Sequence, residues 1–588
     1  NHDIKFNNIN ISYEEMPLFV NAQIKNIFKN TSIQTNFSTI INENTTDSLI
    51  NPYLISPLKI KGEIPVKGFI KGTNENYTVS FKTKIPKNSD VSFMGANVGD
   101  VNYNRELNGN IEVAKDVAKI NELKLIKFIT NQNNKTNPLT MLKIDGKIKQ
   151  IKNDIFYDDL RIATSSPMNV RMLNLIFKKS LLKKGVFDCN IALNGNSKAP
   201  KIIGKAYFSD LDIPLYSTKV DSIDFDMSKN IISGKIIAKS KDNDVNIAFR
   251  APNNLVAPFT IDELNIESNK LNINSLLNSL IQQAPKSDIA LKQDVIIKPQ
   301  DIIISKGSVD LKEIQYDKIE AKNLKSHFNF KDNVLTLENM IFDIAQGKIT
   351  ASGKYNLSST KLNLKAAIEE CNSNLLVYQF LHLSDQIFGK MNGNIELTGS
   401  NLNTPQNIKN INSKITFSIE NGKMTKLGSL EYLLRAGNII KNGLLNLSLN
   451  NLIQILTPYK TGEFENIKGN LTISKGCVKN LEIMTKGKNM SLLIEGNYDI
   501  LKNFADANIY GKLSQNVSNS LGMFGNASIK QIFDSITMNK IKSENNLEII
   551  NKIPSIENEN PTPRYFKARV LGNINKENYI KSFNWEIK

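Results

Sequence analysis

Histidine and serine are the residues of this chain best suited to acid–base or nucleophilic chemistry, and their placement argues against it. The three histidines, His2, His327 and His382, are far apart in sequence. A Ser-His-Asp triad or a histidine metal site would need a long-range coincidence with one of the two internal histidines. Ser180 and Lys183 have the S-x-x-K spacing of serine acyl-enzymes, but no S-D-N motif accompanies them. We therefore assign no catalytic residue.

Acidic and sulfur-bearing side chains do not form a metal site in the sequence either. The acidic clusters are Asp158 and Asp159; Asp221, Asp224 and Asp226; Asp242 and Asp244. None continues into a twelve-residue loop that ends in Glu, as a calcium loop would. The cysteines, Cys189, Cys371 and Cys477, are too far apart for a C-x-x-C site. We expect no metal, no cofactor and no enzymatic activity.

The net charge of +17 comes from lysines scattered through the predicted strands. Nucleic-acid binding would concentrate basic residues on one face with interleaved aromatics, so we expect no nucleic-acid partner. A solvated, lysine-rich surface explains the charge, and attraction to anionic lipid headgroups is the alternative. No run approaches the roughly 20 apolar residues that span a bilayer, so no transmembrane helix is predicted.

Apolar and polar residues alternate over most of the chain, which predicts half-buried antiparallel strands. One run places Leu362, Leu364 and Ile368 against Lys361 and Lys365. Such a strand has one apolar and one solvated face. The apolar face must be covered by a second sheet, by helices or by a ligand. Two packed sheets or one curled sheet remain, and a curled sheet makes a groove.

Asn-Gly pairs and short recurring phrases suggest a chain of hairpins. The Asn-Gly pairs are Asn108-Gly109, Asn194-Gly195, Asn392-Gly393 and Asn421-Gly422. Both residues tolerate positive φ, so these pairs predict two-residue hairpin turns. Residues 304–309 read ISKGSV and residues 473–478 read ISKGCV. Recurrence of this kind favours stacked, repeated units, and chance matches in a chain rich in Asn, Lys and Ile are the alternative.

The pattern divides the chain into four regions. Residues 1–290 form a repetitive β region, and 291–534 form a second β region with a helical insert near 424–456. Residues 535–563 are a polar linker or loop, and 564–588 are terminal strands. A helix is also predicted from Ser373 to Leu383. These helices are interpreted as covers on the ends and edges of the sheet.

A series of phrases in the second region resembles a known family. In order, they are the strand around Asn339 to Tyr355, the helix from Ser373, then GKMNGNI at 389–395, IENGKM at 419–424 and FENIKGNL at 464–471. Their order between about Ile304 and Ser514 resembles the C-terminal region of the AsmA-like family of bacterial envelope proteins. Residues 291–534 are therefore interpreted as an AsmA-like C-terminal region.

The resemblance implies a mainly β fold in which a long curled antiparallel sheet forms an elongated apolar groove. It implies passive transport or shielding of phospholipid acyl chains between the inner and outer membranes of a diderm bacterium, in support of outer-membrane biogenesis. It also implies a periplasmic location and anchoring to the inner membrane through a segment absent from this chain. Phospholipids and an outer-membrane protein are the implied partners.

The candidate lipid-binding residues are apolar, lie within alternating runs and are expected to face the groove. They are Leu335, Leu337, Ile349, Tyr355, Leu362, Leu364, Ile368, Ile395, Leu397, Ile415, Phe417, Ile419, Leu471, Ile473, Leu492 and Ile494. Two other classes of function remain. A scaffold for outer-membrane protein assembly would use exposed strand edges. A β-solenoid surface protein would explain the repeats but needs a tighter, constant period.

Overall fold

A computed structural model describes the structure of most of the 588-residue chain. The described residues are 3–13, 16–27, 31–53, 58–93, 96–97, 102–130, 135–151, 154–173, 182–213, 218–239, 243–254, 256–275, 301–381, 387–401, 409–424, 463–487, 490–502, 504–513, 547–556, 564–573 and 580–586. The chain forms two compact units, unit 1 from Asn1 to Gly307 and unit 2 from Ser308 to Lys588.

Twenty strands precede residue 300. They are β1 Ile4–Tyr13, β2 Met16–Lys25, β3 Ser32–Ile41, β4 Leu58–Lys61, β5 Ile64–Gly72, β6 Asn76–Ile85, β7 Asp90–Phe93, β8 Ala96–Asn97, β9 Asn104–Ala114, β10 Val117–Thr130, β11 Thr136–Ile151, β12 Asp154–Thr164, β13 Met168–Asn169, β14 Lys184–Asn196, β15 Lys201–Ile213, β16 Thr218–Met227, β17 Ile231–Lys239, β18 Asp244–Pro252, β19 Phe259–Ser268 and β20 Leu271–Asn272. This count covers the described residues only.

Thirteen further strands are described after residue 300. They are β21 Ile302–Tyr316, β22 Ile319–Lys331, β23 Val334–Ile344, β24 Gly347–Asn356, β25 Lys361–Asn372, β26 Ile387–Ser400, β27 Asn412–Met424, β28 Glu463–Ser474, β29 Cys477–Lys486, β30 Met490–Asp499, β31 Phe504–Leu513, β32 Arg564–Asn573 and β33 Ile580–Glu586.

Within each unit the strands pair antiparallel with their neighbours along the chain. In unit 1, β10 pairs with β9 and β11, and in unit 2, β25 pairs with β24 and β26. Three short strands, β4, β7 and β8, form a small separate sheet. Among the described strands, β1 pairs with β2 alone and β33 with β32 alone, so the sheet is open at both. The predicted fold class, mainly β with a long antiparallel sheet, is confirmed, and the described strands do not close that sheet on itself.

The Asn-Gly pairs do not form the predicted turns, and that prediction is wrong. Asn108-Gly109 lies within β9, Asn194-Gly195 within β14, Asn392-Gly393 within β26 and Asn421-Gly422 within β27. Other dipeptides form the two-residue turns with positive φ, namely Asp332-Asn333, Ala345-Gln346 and Lys475-Gly476. Cross-strand packing explains one of these glycines, because a Cβ built on Gly109 would overlap the ring of Phe81.

The recurring phrase does not mark a repeated structural unit. Residues 304–309 lie inside β21, whereas residues 473–478 run from the end of β28 through a turn into β29. The same letters therefore occupy different backbone conformations. This similarity is explained by composition, which was the alternative that the sequence left open.

Few helices are described. They are α1 Glu43–Thr45, which continues into a π-helical turn Thr46–Ile50 and a 3-10 turn Asn51–Tyr53, then a 3-10 turn Val170–Leu173, α2 Ser373–Leu381 and α3 Leu547–Lys552. The helix predicted from Ser373 is confirmed, and Asn372 caps it by accepting hydrogen bonds from the amides of Asn374 (3.0 Å) and Leu375 (3.2 Å). The helical insert predicted near 424–456 lies outside the described residues, apart from its first residue.

The segment 535–563, predicted as a polar linker or loop, contains packed structure. Helix α3 and the two isoleucines after it, Ile553 and Ile556, are folded against the rest of unit 2, and both isoleucines are buried. Ile553 packs on Leu493 and Tyr510 of β30 and β31. Polar composition concealed this contact, because only a few apolar residues make it.

Candidate functional site

The register of the strands brings the candidate lipid-binding residues onto one face of unit 2. Directly opposed residues of an antiparallel ladder have their side chains on the same face. The ladder joins Leu335, Tyr355 and Leu362; Leu337, Leu364, Leu397 and Ile473; Ile395, Ile415 and Leu471; Ile349, Ile368, Phe417 and Ile494; and Ile419 and Leu492, in part through intervening residues. All the candidates therefore lie on this surface, called the apolar face below.

Most of the apolar face is neither fully buried nor fully exposed. Leu364 and Leu397, which oppose each other across β25 and β26, are both half-buried, and so are Ile395, Ile415 and most of the other candidates. Tyr355 is the most open, at 37% exposed. A second sheet packed on this face would exclude solvent from such side chains almost completely. The described residues leave a large part of the face accessible.

Helix α2 covers one end of the apolar face. Its Leu376 packs in a cluster with Ile349, Ile368 and Cys371. Ile349 and Ile368 are consequently only 8% and 7% exposed. The Ser373 hydroxyl donates a hydrogen bond to the carbonyl oxygen of Ile387 at 3.1 Å and ties the start of the helix to β26. These two candidates are therefore covered by protein, as a helix that caps a sheet would cover them.

Ile419 is also enclosed by protein. It is 3% exposed and packs with Phe464 and Ile467 of β28. Leu492 belongs to the same ladder row and is only half-buried. The accessible part of the apolar face thus lies away from α2 and from the side chain of Ile419. It surrounds Leu364, Leu397 and Ile473 and includes the half-buried Phe417 and Ile483.

The opposite face of the same strands is polar. Lys365 of β25 forms an ion pair with Glu396 of β26 at 2.9 Å, and Lys390 pairs with Glu370 at 2.6 Å. The hydrogen bond from Lys365, reinforced by its charge, lowers the pKa of Glu396 below its ordinary value. These groups are solvent-exposed, so each pair adds little to stability. Their effect is to make one face wet while the other remains apolar.

Unit 1 has an equivalent apolar face that the sequence reasoning did not single out. The rings of Phe187, Phe208, Phe225 and Phe249 follow one another across β14, β15, β16 and β18, with neighbouring centroids 6.1–6.4 Å apart. Phe225 alternates with Asp224 and Asp226, which oppose Lys235 and Ser233 on the polar face. The alternation of Asp224, Phe225 and Asp226 in the sequence indicates a strand with one apolar face. In the sequence analysis these aspartates were considered only as possible calcium ligands.

The residues considered for chemistry are dispersed. His327 is exposed in β22, while Ser180, His382 and Asp242 lie outside the described residues. Cys189 is buried, and burial together with the charge of Asp188 raises the pKa of its thiol to about 11. Over the part of the chain that the structure describes, no three His, Cys, Asp or Glu side chains come together as a metal site.

None of the described helices combines the length and the apolar character that crossing a bilayer requires.

Comparison with known proteins gives one match. A model of the AsmA family matches residues 112–483. The matched segment begins in β9 of unit 1, ends in β29 of unit 2 and includes most of the candidate residues. Neither the curated proteins nor the solved structures contain a significant match.

Proposed function

Because the chain belongs to the AsmA family, we propose that it binds the acyl chains of phospholipids on its apolar face and shields them from water as they pass between the membranes of a bacterial envelope. In this proposal the protein acts in the periplasm and supports outer-membrane biogenesis. The observation that carries the proposal is the accessible apolar face around Leu364, Leu397 and Ile473, whose side chains are half-buried.

The energetics favour a passive path. A 16-carbon chain in water is unfavourable by roughly 12 kcal/mol, at about 0.8 kcal/mol per methylene. Contact with a continuous apolar face removes much of that cost without any chemical step. The proposal therefore assigns no catalytic residue and no cofactor to the chain. Direction and energy come from partners, among which we propose an outer-membrane protein and an inner-membrane attachment.

The two faces of unit 2 suggest how a phospholipid would be oriented. Its acyl chains contact the apolar face, and its headgroup stays in water at a rim where the strands end. Lysines near one rim, such as Lys354, Lys361 and Lys475, are exposed there. Their charge is complementary to a phosphate group, although exposed charges contribute mainly to encounter rather than to affinity.

Native mass spectrometry of the gently purified chain tests the proposal. We expect the folded chain to carry phospholipid that is released on denaturation, because an accessible apolar face of this extent is unfavourable in water. The control is the same preparation after delipidation and incubation with phospholipid vesicles, which should restore the bound mass. A chain that is free of lipid and takes up none from vesicles would favour the assembly scaffold instead.

A further inference from the structure

Each unit has a long ladder row in which every residue is apolar or glycine. The row of unit 1, called row 1, joins Ile9, Val20, Phe37, Gly68, Phe81, Gly109, Leu123, Ile144, Ile162, Ile191, Gly204, Met227, Ile232 and Ala251. The row of unit 2, called row 2, joins Phe342, Ile349, Ile368, Gly393, Phe417, Gly469, Ile483, Ile494 and Ile509. Several other rows on these faces include hydroxyls, such as those of Thr39, Thr83 and Thr485.

Phenylalanine rings in these rows extend over glycines of the next strand. A Cβ built on Gly469 would overlap the ring of Phe417, and one on Gly109 would overlap the ring of Phe81. At both glycines the nearest atoms to that Cβ position all belong to the ring rather than to backbone. The ring therefore occupies the space that a side chain at the glycine would take.

Because of this arrangement, the phenylalanine side chains project less far from the sheet than upright side chains would. Side chains of a strand ordinarily stand roughly perpendicular to the sheet, whereas these rings reach across to the Cβ position of a glycine on the neighbouring strand. Covering a glycine with an aromatic ring also compensates for the weak strand propensity of glycine. A purely structural role of that kind does not require open rings, yet Phe37, Phe81 and Phe417 are only half-buried. Their exposed surfaces are available to an apolar ligand.

From this geometry we infer that an acyl chain lies along the uncovered part of the rows, crossing the strands over the phenylalanine rings, and that each phenylalanine–glycine pair positions the chain by keeping its path clear. The inference rests on the proposed function and specifies where on the face the lipid lies. An acyl chain is about 15 Å long, half the hydrocarbon thickness of a bilayer, so it would cross about three inter-strand spacings of 4.8 Å. The span from Gly393 to Ile483 on β26, β27, β28 and β29 has this length.

The test uses three variants of the whole chain: Gly469→Ala, Phe417→Leu and the double variant. Alanine at 469 displaces the ring of Phe417, which can swing away because the overlapping atoms are at its far end. The displaced ring stands upright in row 2. Leucine at 417 removes the ring and keeps the row apolar, so the double variant has an alanine but no ring to displace. Alanine suits an extended strand, and thermal unfolding monitored by circular dichroism verifies that each variant is folded.

The readout is crosslinking to a palmitic acid probe with a diazirine at mid-chain, mapped by mass spectrometry. In the wild type we expect crosslinks along row 2, including Phe417 and Ile483. Gly469→Ala should lower that yield roughly four- to fifteen-fold, as expected from losing contact for one or two methylenes. Phe417→Leu removes part of the contact surface itself, so it is the reference for the double variant: the double variant should crosslink at the level of Phe417→Leu, without the further loss of roughly four- to fifteen-fold.

The outcomes separate this inference from the proposed function. If the wild type takes up neither probe nor phospholipid, both are overturned. If the wild type crosslinks but Gly469→Ala crosslinks equally well, or if Gly469→Ala lowers the yield as much in the Phe417→Leu background as in the wild type, the apolar face binds lipid and the path along row 2 is wrong. Crosslinks spread evenly over all rows of the face would also overturn the path.

Discussion

Asp244, the first residue of β18, shows how one carboxylate joins two strand ends. It accepts hydrogen bonds from the Ser268 hydroxyl at 3.0 Å and from the amides of Asn269 and Lys270, both at 2.8 Å. Partial burial alone would raise the pKa of Asp244, but these hydrogen bonds outweigh it and lower the pKa to about 2, from 3.8. The charged form is therefore favoured by the fold.

This lowered pKa predicts a loss of stability in acid. The folded value lies below the unfolded one, so the contribution of Asp244 is complete above pH 3.8 and is lost as the pH falls towards 2. Asp244→Asn should cost about 1–2 kcal/mol of unfolding free energy near pH 6, allowing for partial exposure. The cost should shrink as the pH falls to 2. Urea unfolding of the wild type and the variant between pH 2 and 6 gives the loss of unfolding free energy and its dependence on pH. A loss that is the same at every pH would contradict the prediction.

Individual residues were the hardest features to anticipate from the sequence. Asn-Gly reads as a turn because both residues tolerate positive φ, yet Gly109 is needed mid-strand to lie under the ring of Phe81. The partner that decides between these two roles is 28 positions away in sequence and becomes a neighbour only through strand pairing. Local propensity contains no information about such a partner.

At the scale of the strand, an aspartate introduced on the apolar face of β25 should have effects that an aspartate on its polar face does not have. Leu364 is half-buried on the apolar face, and its neighbour Asn363 is exposed on the polar face. Leu364→Asp should leave the chain folded, at a cost of roughly 1–3 kcal/mol, because water reaches the new carboxylate on an open face. Bound phospholipid, measured by native mass spectrometry, should fall. Asn363→Asp, the matched control, should change neither property.

Two results for these variants would count against an open, lipid-binding face. If Leu364→Asp unfolds the chain while Asn363→Asp does not, Leu364 lies in a closed core, where an unpaired polar group costs several kcal/mol. If the folded Leu364→Asp variant retains its full lipid load, the lipid binds elsewhere. Ile494→Asp on β30 provides a second instance of the first substitution, at another position on the same face.

Strands, their faces and α2 were predictable, because alternation and a helix cap are local signals. The continuity of the apolar face from strand to strand was less predictable. In β23 the face holds Leu335 and Leu337 but then Met340 and Phe342, since the pairing shifts between 337 and 340. Such a bulge changes the phase of alternation along the sequence while the face itself continues. The alternation in the sequence therefore does not predict which residues lie on the apolar face beyond a bulge.

For the molecule as a whole, pairing between chain neighbours predicts that stability is local. Leu125 is 1% exposed in the main apolar cluster of unit 1. Leu125→Ala should remove about 2–5 kcal/mol. Because each strand is held mainly by the strands beside it, the loss should stay near the substitution, as in repeat proteins. Hydrogen exchange should accelerate in β9 to β12 and remain unchanged in β28 to β31.

A comparable acceleration in both sets of strands would show instead that the chain unfolds as one cooperative unit. Leu139→Ala is the matched control, because Leu139 lies in β11 and is 37% exposed. Leu139→Ala should change hydrogen exchange little in β9 to β12 and in β28 to β31. The family and the fold class followed from the sequence, but the extent of cooperativity depends on packing between strands, which only the structure shows.

Strand pairing in chain order also makes this architecture adjustable in length. A two-stranded hairpin could be gained or lost between existing hairpins, and only the two flanking strands would then pair with new partners. The rows on either side would keep their register if the new turns had a length that preserves the pairing. Each such event would change the length of an apolar row by about 10 Å. Duplication or deletion of hairpins would therefore set the length of the apolar row while leaving the other strands paired as before.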